Sequence, residues 1–164
     1  MSLAETLQEL RHGAHLMKIR DLERLIDGLR LEPTELRAYL RFANHHYTRN
    51  VIQRTADFEA LLLCWRGGQR SRIHDHGQSL CAMAMVEGVL SADNYLRTPA
   101  GLIYRDFSED FKPGSIMTIQ TTEIHRVSNL RDEDGISLHF YLPPLENNQM
   151  WDTPGVGRRF RDAA

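Results

Sequence analysis

The chain has 164 residues, 41% of them hydrophobic, which is enough to bury one core and cramped for two domains. Its 20 lysines and arginines stand against 22 aspartates and glutamates, so the formal charge of −2 offers no general attraction to nucleic acid or to an anionic membrane, and a small-molecule partner and a monomer are expected. No apolar run approaches the roughly 20 residues that span a bilayer. The start MSLAETLQEL lacks the basic and apolar blocks of a signal peptide, and Cys64 and Cys81 form neither a CxxC nor a disulfide framework, so a reducing, cytoplasmic location is expected.

Residues 1–45 read as helices. Leu3, Leu7 and Leu10 recur at helical spacing, as do Leu22, Leu25, Ile26 and Leu29, with Gly13 and Gly28 near the ends. Pro33 in a first turn, followed by Leu36, Tyr39 and Leu40, suggests a third short helix with Glu32 and Glu35 near its positive end. His12 and His15 lie on a polar segment and are read as solvated. After Asn50 the texture changes to short apolar or alternating runs: 59–65, 79–87, 89–97, 102–107, 115–120, 123–129 and 136–142. Closely spaced short strands of this kind predict an all-β sandwich or small barrel. The tail 145–164 carries Trp151, Pro154, Gly155, Gly157 and the basic Arg158, Arg159 and Arg161, and is expected to wrap the barrel with its charges in solvent.

The chemistry gathers around GQRSRIHDHGQSLCAMAMVEG, residues 68–88. His74 and His76 are two residues apart, so on an extended strand both rings leave one face, as a metal-chelating pair would; two surface histidines beside a turn are the other reading. Further on, ISLHFYL puts Ser137, His139 and Tyr141 on one strand face opposite Ile136, Leu138, Phe140 and Leu142. That polar face is either an outward surface or a relay of hydroxyl, imidazole and phenol. His45 and His46, being adjacent, would face opposite ways on a strand, and Cys64 within LLLCW reads as a small buried hydrophobe. Imidazole ligands suit iron, zinc, copper and nickel alike, so ligand type does not choose the metal.

Several segments in order carry a resemblance. Gly68, His74, His76, Cys81 and Gly88 are spaced as in the first motif of the cupin superfamily, with Cys81 in the place of the usual glutamate ligand, and Pro113-Gly114, His125 and Asn129 resemble the second motif. Together with Tyr47-Thr48-Arg49-Asn50, Cys64-Trp65, His125-Arg126-Val127 and Ser137-Leu138-His139-Phe140-Tyr141, they resemble the cysteine dioxygenase family of thiol dioxygenases over about residues 47–144.

The resemblance implies a mainly β fold, a single cupin domain whose jelly-roll barrel (46–144) follows the helical part (1–45) and precedes the tail (145–164). It implies Fe(2+) held by His74, His76 and His125, a substrate carboxylate held by Arg49 with Tyr47 supporting it, and catalytic roles for Ser137, His139, Tyr141 and Cys81. Trp65 is expected as a cavity wall and Asp75 as an acceptor that does not ligate. The Leu142-Pro143 bond is expected to be cis, and a thioether between Cys81 and Tyr141 is possible. The implied reaction joins L-cysteine and O2 to cysteine sulfinate. The alternatives are the same reaction on 3-mercaptopropionate or another small thiol, to which the tail arginines could contribute, and more remotely a metal-dependent cupin isomerase or a cupin that only binds a small molecule. Loss of the carboxylate ligand makes the site more cationic by one charge and favours a thiolate.

Overall fold

Helix α1 (Leu3–Gly13) starts at Ser2, whose hydroxyl accepts from the Glu5 N–H while the Glu5 carboxylate accepts from the Ser2 N–H. This reciprocal cap satisfies two of the donors that a helix start leaves open. Helices α2 (Ile19–Asp27) and α3 (Pro33–Leu36) follow, the latter with proline in its first turn, where a missing N–H costs nothing. Glu35 of α3 accepts from the Leu3 N–H, which ties the first helix to the third.

The chain is described by a computed structural model covering residues 1–152 and the backbone of residues 158–159. Beyond the helices it forms β1 (Thr48–Arg54), β2 (Glu59–Trp65), β3 (Ile73–His74), β4 (Leu80–Glu87), β5 (Leu90–Arg97), β6 (Ile103–Phe111), β7 (Ile116–Ile119), β8 (Ile124–Ser128), β9 (Gly135–Leu142), β10 (Gln149–Trp151) and β11 (Arg158–Arg159). They make a five-stranded sheet in the order β1-β2-β9-β4-β7 and a six-stranded sheet in the order β11-β10-β3-β8-β5-β6. The strand pairings are antiparallel. No helix among the described residues is long and apolar enough to cross a membrane.

Strands β2 and β9 at the middle of the five-stranded sheet are buried on both faces, and side-chain parity sorts the two. Ala60, Leu62 and Cys64 of β2, Ala82 of β4 and Ile136, Leu138, Phe140 and Leu142 of β9 pack with Leu3, Leu10, Leu22, Ile26 and Leu36 under the helices. At roughly 1.5–3 kcal/mol for each fully buried large apolar side chain, this contact is what holds short helices on the sheet. The opposite parity, Leu61, Leu63 and Trp65, Cys81, Met83 and Met85, and Tyr141, meets Leu90, Ala92, Phe111 and Val127 of the second sheet. The candidate site residues Cys81, Ser137, His139 and Tyr141 are buried on this parity. At the β4–β5 turn Gly88 has φ +76, and a Cβ there would stand 2.4 Å from the Asp134 carbonyl oxygen, so only glycine fits.

Most expected strands form within a residue or so of their predicted limits, while β6 runs on to Phe111. Three features differ from expectation. Thr48–Arg54, a polar stretch, is the edge strand β1; the tail contributes β10, which pairs through Met150 and Trp151 with His74 and Ile73; and β3 ends at His74, so His76 lies just beyond the strand. The Leu142-Pro143 peptide is cis, as expected. Pro154, Gly155, Gly157 and Arg161, and the side chains of Arg158 and Arg159, lie outside the described residues.

Candidate metal centre

His74 and His125 are register partners on β3 and β8, and His76 follows in the turn that leaves β3. That turn is held by Asp75, whose carboxylate accepts from the Gly77 N–H at 3.2 Å and the Gln149 N–H at 2.7 Å. Asp75 is therefore a structural acceptor, as expected: it sends the chain back so that the next ring faces inward. His76 and His125 are buried and His74 is partly exposed. Among the described residues, these three form the group whose ligand atoms all lie within 4.8 Å of one another.

The nitrogens fit a metal ion. The Nε2 atoms of His76 and His125 are 3.1 Å apart. Two imidazole nitrogens bound at about 2.1 Å and at right angles on one ion stand about 3.0 Å apart. His74 donates from Nδ1 to the Arg72 carbonyl at 2.9 Å, which leaves its Nε2 lone pair available. Loss of water holds the basicity of His74 below the ordinary imidazole value and that of His76 and His125 well below it, with the neighbouring imidazoles next in effect for the latter two. Neutral imidazole is the form that ligates.

The β9 face is joined to this group through His76 and Tyr141, whose rings are 5.5 Å apart edge to face. Trp65 donates from its indole N–H to the Ser137 hydroxyl at 3.0 Å, Ser137 and His139 Nε2 are 2.8 Å apart, and His139 Nδ1 is 3.3 Å from the Tyr141 oxygen. Indole is a donor only, so the Ser137 oxygen accepts from Trp65, and one arrangement that satisfies the contacts has Ser137 donating to His139 and His139 donating to Tyr141. The Tyr141 O–H is then left to point into the cavity. Burial, then the charge of Arg49, brings His139 down to about 3, so the relay is neutral at physiological pH. Burial, with Cys81 next, raises Tyr141 well above the usual phenol range.

Cys81 is the direct cross-strand partner of Tyr141, fully buried, with burial pushing its thiol pKa up. Arg49 reaches over the Tyr141 ring, 5.7 Å from its centroid, while its side chain remains 40% exposed and so stands at the cavity mouth. Its guanidinium is in hydrogen-bond contact with the Tyr47 phenol, and Tyr47 stacks on Trp65 with centroids 4.2 Å apart. All nine predicted side chains thus lie in one region. His12, His15, His45 and His46 are exposed, and Cys64 is buried on the helix-facing side, where the Asn50 amide meets its sulfur at 3.5 Å.

Sequence reasoning missed Glu59. Its side chain is 4% exposed, and it meets Arg49 at 3.6 Å and Arg54 at 3.2 Å. The available signal was parity: in EALLLCW, Glu59 shares a face with Leu61, Leu63 and Trp65. A hollow of about 800 Å³ between the helices and strands β4 and β7 is lined by residues such as Ile26, Leu36, Ala84 and Ile116 and includes none of the imidazoles.

A sequence model of the family described as Cysteine dioxygenase type I matches residues 1–154. The chain is 28% identical over 161 residues to Cysteine dioxygenase type 1 of Homo sapiens, covering 92% of this chain and 77% of that one. It is 26% identical over 165 residues to the same-named protein of Danio rerio, covering 90% and 80%. Among solved structures, a Cupin 2 conserved barrel domain protein from Salinispora arenicola CNS-205 has a TM-score of 0.50 at 18% identity, over 66% of this chain and 84% of that one. A protein with a double-stranded beta-helix domain from Klebsiella pneumoniae subsp. pneumoniae MGH 78578 has a TM-score of 0.52 at 20% identity, over 65% and 84%. With the barrel, the three-histidine metal site and a family match across nearly the whole chain, the protein belongs to the cysteine dioxygenase family of cupins.

Proposed function

We propose that the protein is a mononuclear iron(II) thiol dioxygenase that converts L-cysteine and O2 to cysteine sulfinate, with His74, His76 and His125 as the metal ligands. The observation that carries the choice of substrate is Arg49, a guanidinium at the mouth of the three-histidine site and above the Tyr141 ring. The reaction balances without another cofactor: the thiol sulfur gives up four electrons, dioxygen accepts them, and both oxygen atoms end on sulfur. A metal held by His74, His76 and His125 would supply the redox chemistry that joins sulfur and dioxygen, and confinement of the thiol beside it would reduce the entropy of bringing the two together.

The chain's own residues do the rest. Arg49 binds the substrate carboxylate through its planar fork of donors, and Tyr47, backed by the Trp65 ring, limits where that fork can stand. The positive charge of Arg49 also favours the thiolate over the thiol. Ser137 and His139 hold the Tyr141 oxygen and direct its hydrogen inward, so Tyr141 donates to the oxygen atoms as negative charge develops on them. A relay neutral at physiological pH has no charge of its own to oppose this. Both cysteines are buried free thiols, which suits the reducing cytoplasm in which we place the protein.

The test is oxygen uptake by the iron-loaded protein with a panel of thiols. Cysteine is expected to consume one O2 per thiol and yield the sulfinate. Preference for 3-mercaptopropionate would overturn the substrate, and no uptake with any thiol would overturn the activity.

Cys81 and Tyr141 can also form a thioether. They are opposite each other on adjacent strands, and oxidation by dioxygen would remove one hydrogen from the thiol and one from the ring carbon beside the hydroxyl. Intact mass after many turnovers is expected to fall by two hydrogens in part of the population, and not in Cys81→Ser. A wild-type protein that keeps its full mass throughout sinks the cross-link.

A further inference from the structure

Strand β1 contains a bulge between Val51 and Gln53. Before it, Arg49 pairs with Leu63 and Val51 with Leu61; after it, Gln53 pairs with Ala60 and Arg54 with Glu59. Regular alternation would put Arg49 and Arg54, five residues apart, on opposite faces. The extra residue reverses the parity, so both arginines come to the face that carries Glu59, Leu61 and Leu63. Glu59 is in turn the cross-strand partner of Tyr141 on its other side.

The result is a buried carboxylate between two guanidinium groups. Glu59 Oε1 is 3.2 Å from Arg54 Nη1 and Oε2 is 3.6 Å from Arg49 Nη2. Arg54 is paired a second time, with Glu146 at 2.7 Å, on the solvent side. Glu59 Oε2 is buried and accepts no hydrogen bond, so its contact with Arg49 is an ion pair without a hydrogen bond. A buried carboxylate is costly unless it is compensated, and an apolar residue would continue the strand Ala60–Trp65 at no such cost. The proposed reaction does not use this charge.

We infer that Glu59 is a specificity-determining positioning residue: it anchors Arg49 and sets the charge beside the carboxylate subsite so that the enzyme favours an amino thiol over an acidic thiol that has no amine. This deepens the reading of Arg49 as the carboxylate-binding residue and rests on it. Glu59 repels any substrate carboxylate brought to Arg49. In zwitterionic cysteine the ammonium next to the carboxylate offsets that repulsion, while 3-mercaptopropionate, with net charge −1, has nothing to offset it. Arg54 holds Glu59 from the outer side and moderates the field it exerts.

The test uses the iron-loaded full chain with L-cysteine, 3-mercaptopropionate and cysteamine. Glu59→Gln keeps the shape and removes the charge, and is expected to lower the cysteine to 3-mercaptopropionate ratio of kcat/KM by about tenfold, mainly through KM. Glu59→Asp is expected to restore most of the ratio. Arg54→Gln removes only the outer partner and is expected to move the ratio the other way; if Glu59→Gln does not fold in a thermal melt, this half-exposed position decides the matter. A ratio unchanged in Glu59→Gln, or unchanged in Arg54→Gln where Glu59→Gln does not fold, overturns the inference. Failure of the underlying reading looks different, because Arg49→Ala would then cost cysteine and cysteamine equally. Failure of this inference alone leaves Arg49→Ala selective and the Glu59→Gln ratio at its wild-type value.

Discussion

His125→Ala is expected to abolish metal retention and oxygen uptake together. His125 sits on β8 inside the six-stranded sheet, opposite His74, so the backbone around it is fixed by pairing on both sides and cannot bring another ligand into its place. Two imidazoles would remain. Changing even an outer partner of a metal ligand typically costs 10–100-fold in affinity or activity, so deleting a ligand should cost more than about 100-fold. Metal content after brief exposure to a chelator, read beside oxygen uptake with cysteine, checks this. His45→Ala, at an exposed histidine outside the site, should change neither. If His125→Ala kept its metal and more than a few per cent of its activity, the three-histidine centre would be wrong.

What the sequence made legible follows how locally each feature is determined. ISLHFYL could be read from period two alone, because both faces of β9 are buried and differ in chemistry: apolar side chains go under the helices, and serine, imidazole and phenol go between the sheets. The histidine set was legible from spacing and resemblance, although the local reason was only half right. His74 and His76 do converge, yet the strand ends at His74, and the Asp75 turn bonded to Gln149 brings His76 round. Asp75 was expected as an acceptor, but its partner, 74 residues away, could not be read locally.

The missed features depend on pairing between distant segments. TRNVIQR has the polarity of a loop and is a strand because β2 offers it an edge, with a bulge that no periodicity would reveal. Gln149–Trp151 is too short to stand out and is a strand because β3 is beside it. Glu59 escaped notice for the same reason. Taken alone, it is a charge at the end of an apolar run, and its meaning appears only when the bulge places Arg54 opposite it and β9 places Tyr141 on its other side.

Arg49→Ala is expected to lower kcat/KM for cysteine by about 10–150-fold, the equivalent of about 1.5–3 kcal/mol for a lost charge-assisted hydrogen bond, while cysteamine, which has no carboxylate, changes little. The guanidinium acts over more than one neighbour. Its charge lowers the basicity of His74, His76 and His139 behind the dominant or leading effect of burial, and it shares Glu59 with Arg54. Removing it therefore lets those imidazoles hold protons more readily and leaves Glu59 with one cation instead of two. The first change acts on every thiol alike; the second disfavours a carboxylate and favours an ammonium, so it adds to the cysteine to cysteamine difference, and Glu59→Gln in the Arg49→Ala background separates it from the carboxylate contact. Arg49→Lys sharpens the test, because an ammonium restores the charge without the planar fork. It should return the imidazoles toward their original basicity and recover only part of the cysteine preference. Equal losses on the two thiols in Arg49→Ala, with full recovery in Arg49→Lys, would show that Arg49 serves the site as a charge and does not grip the substrate.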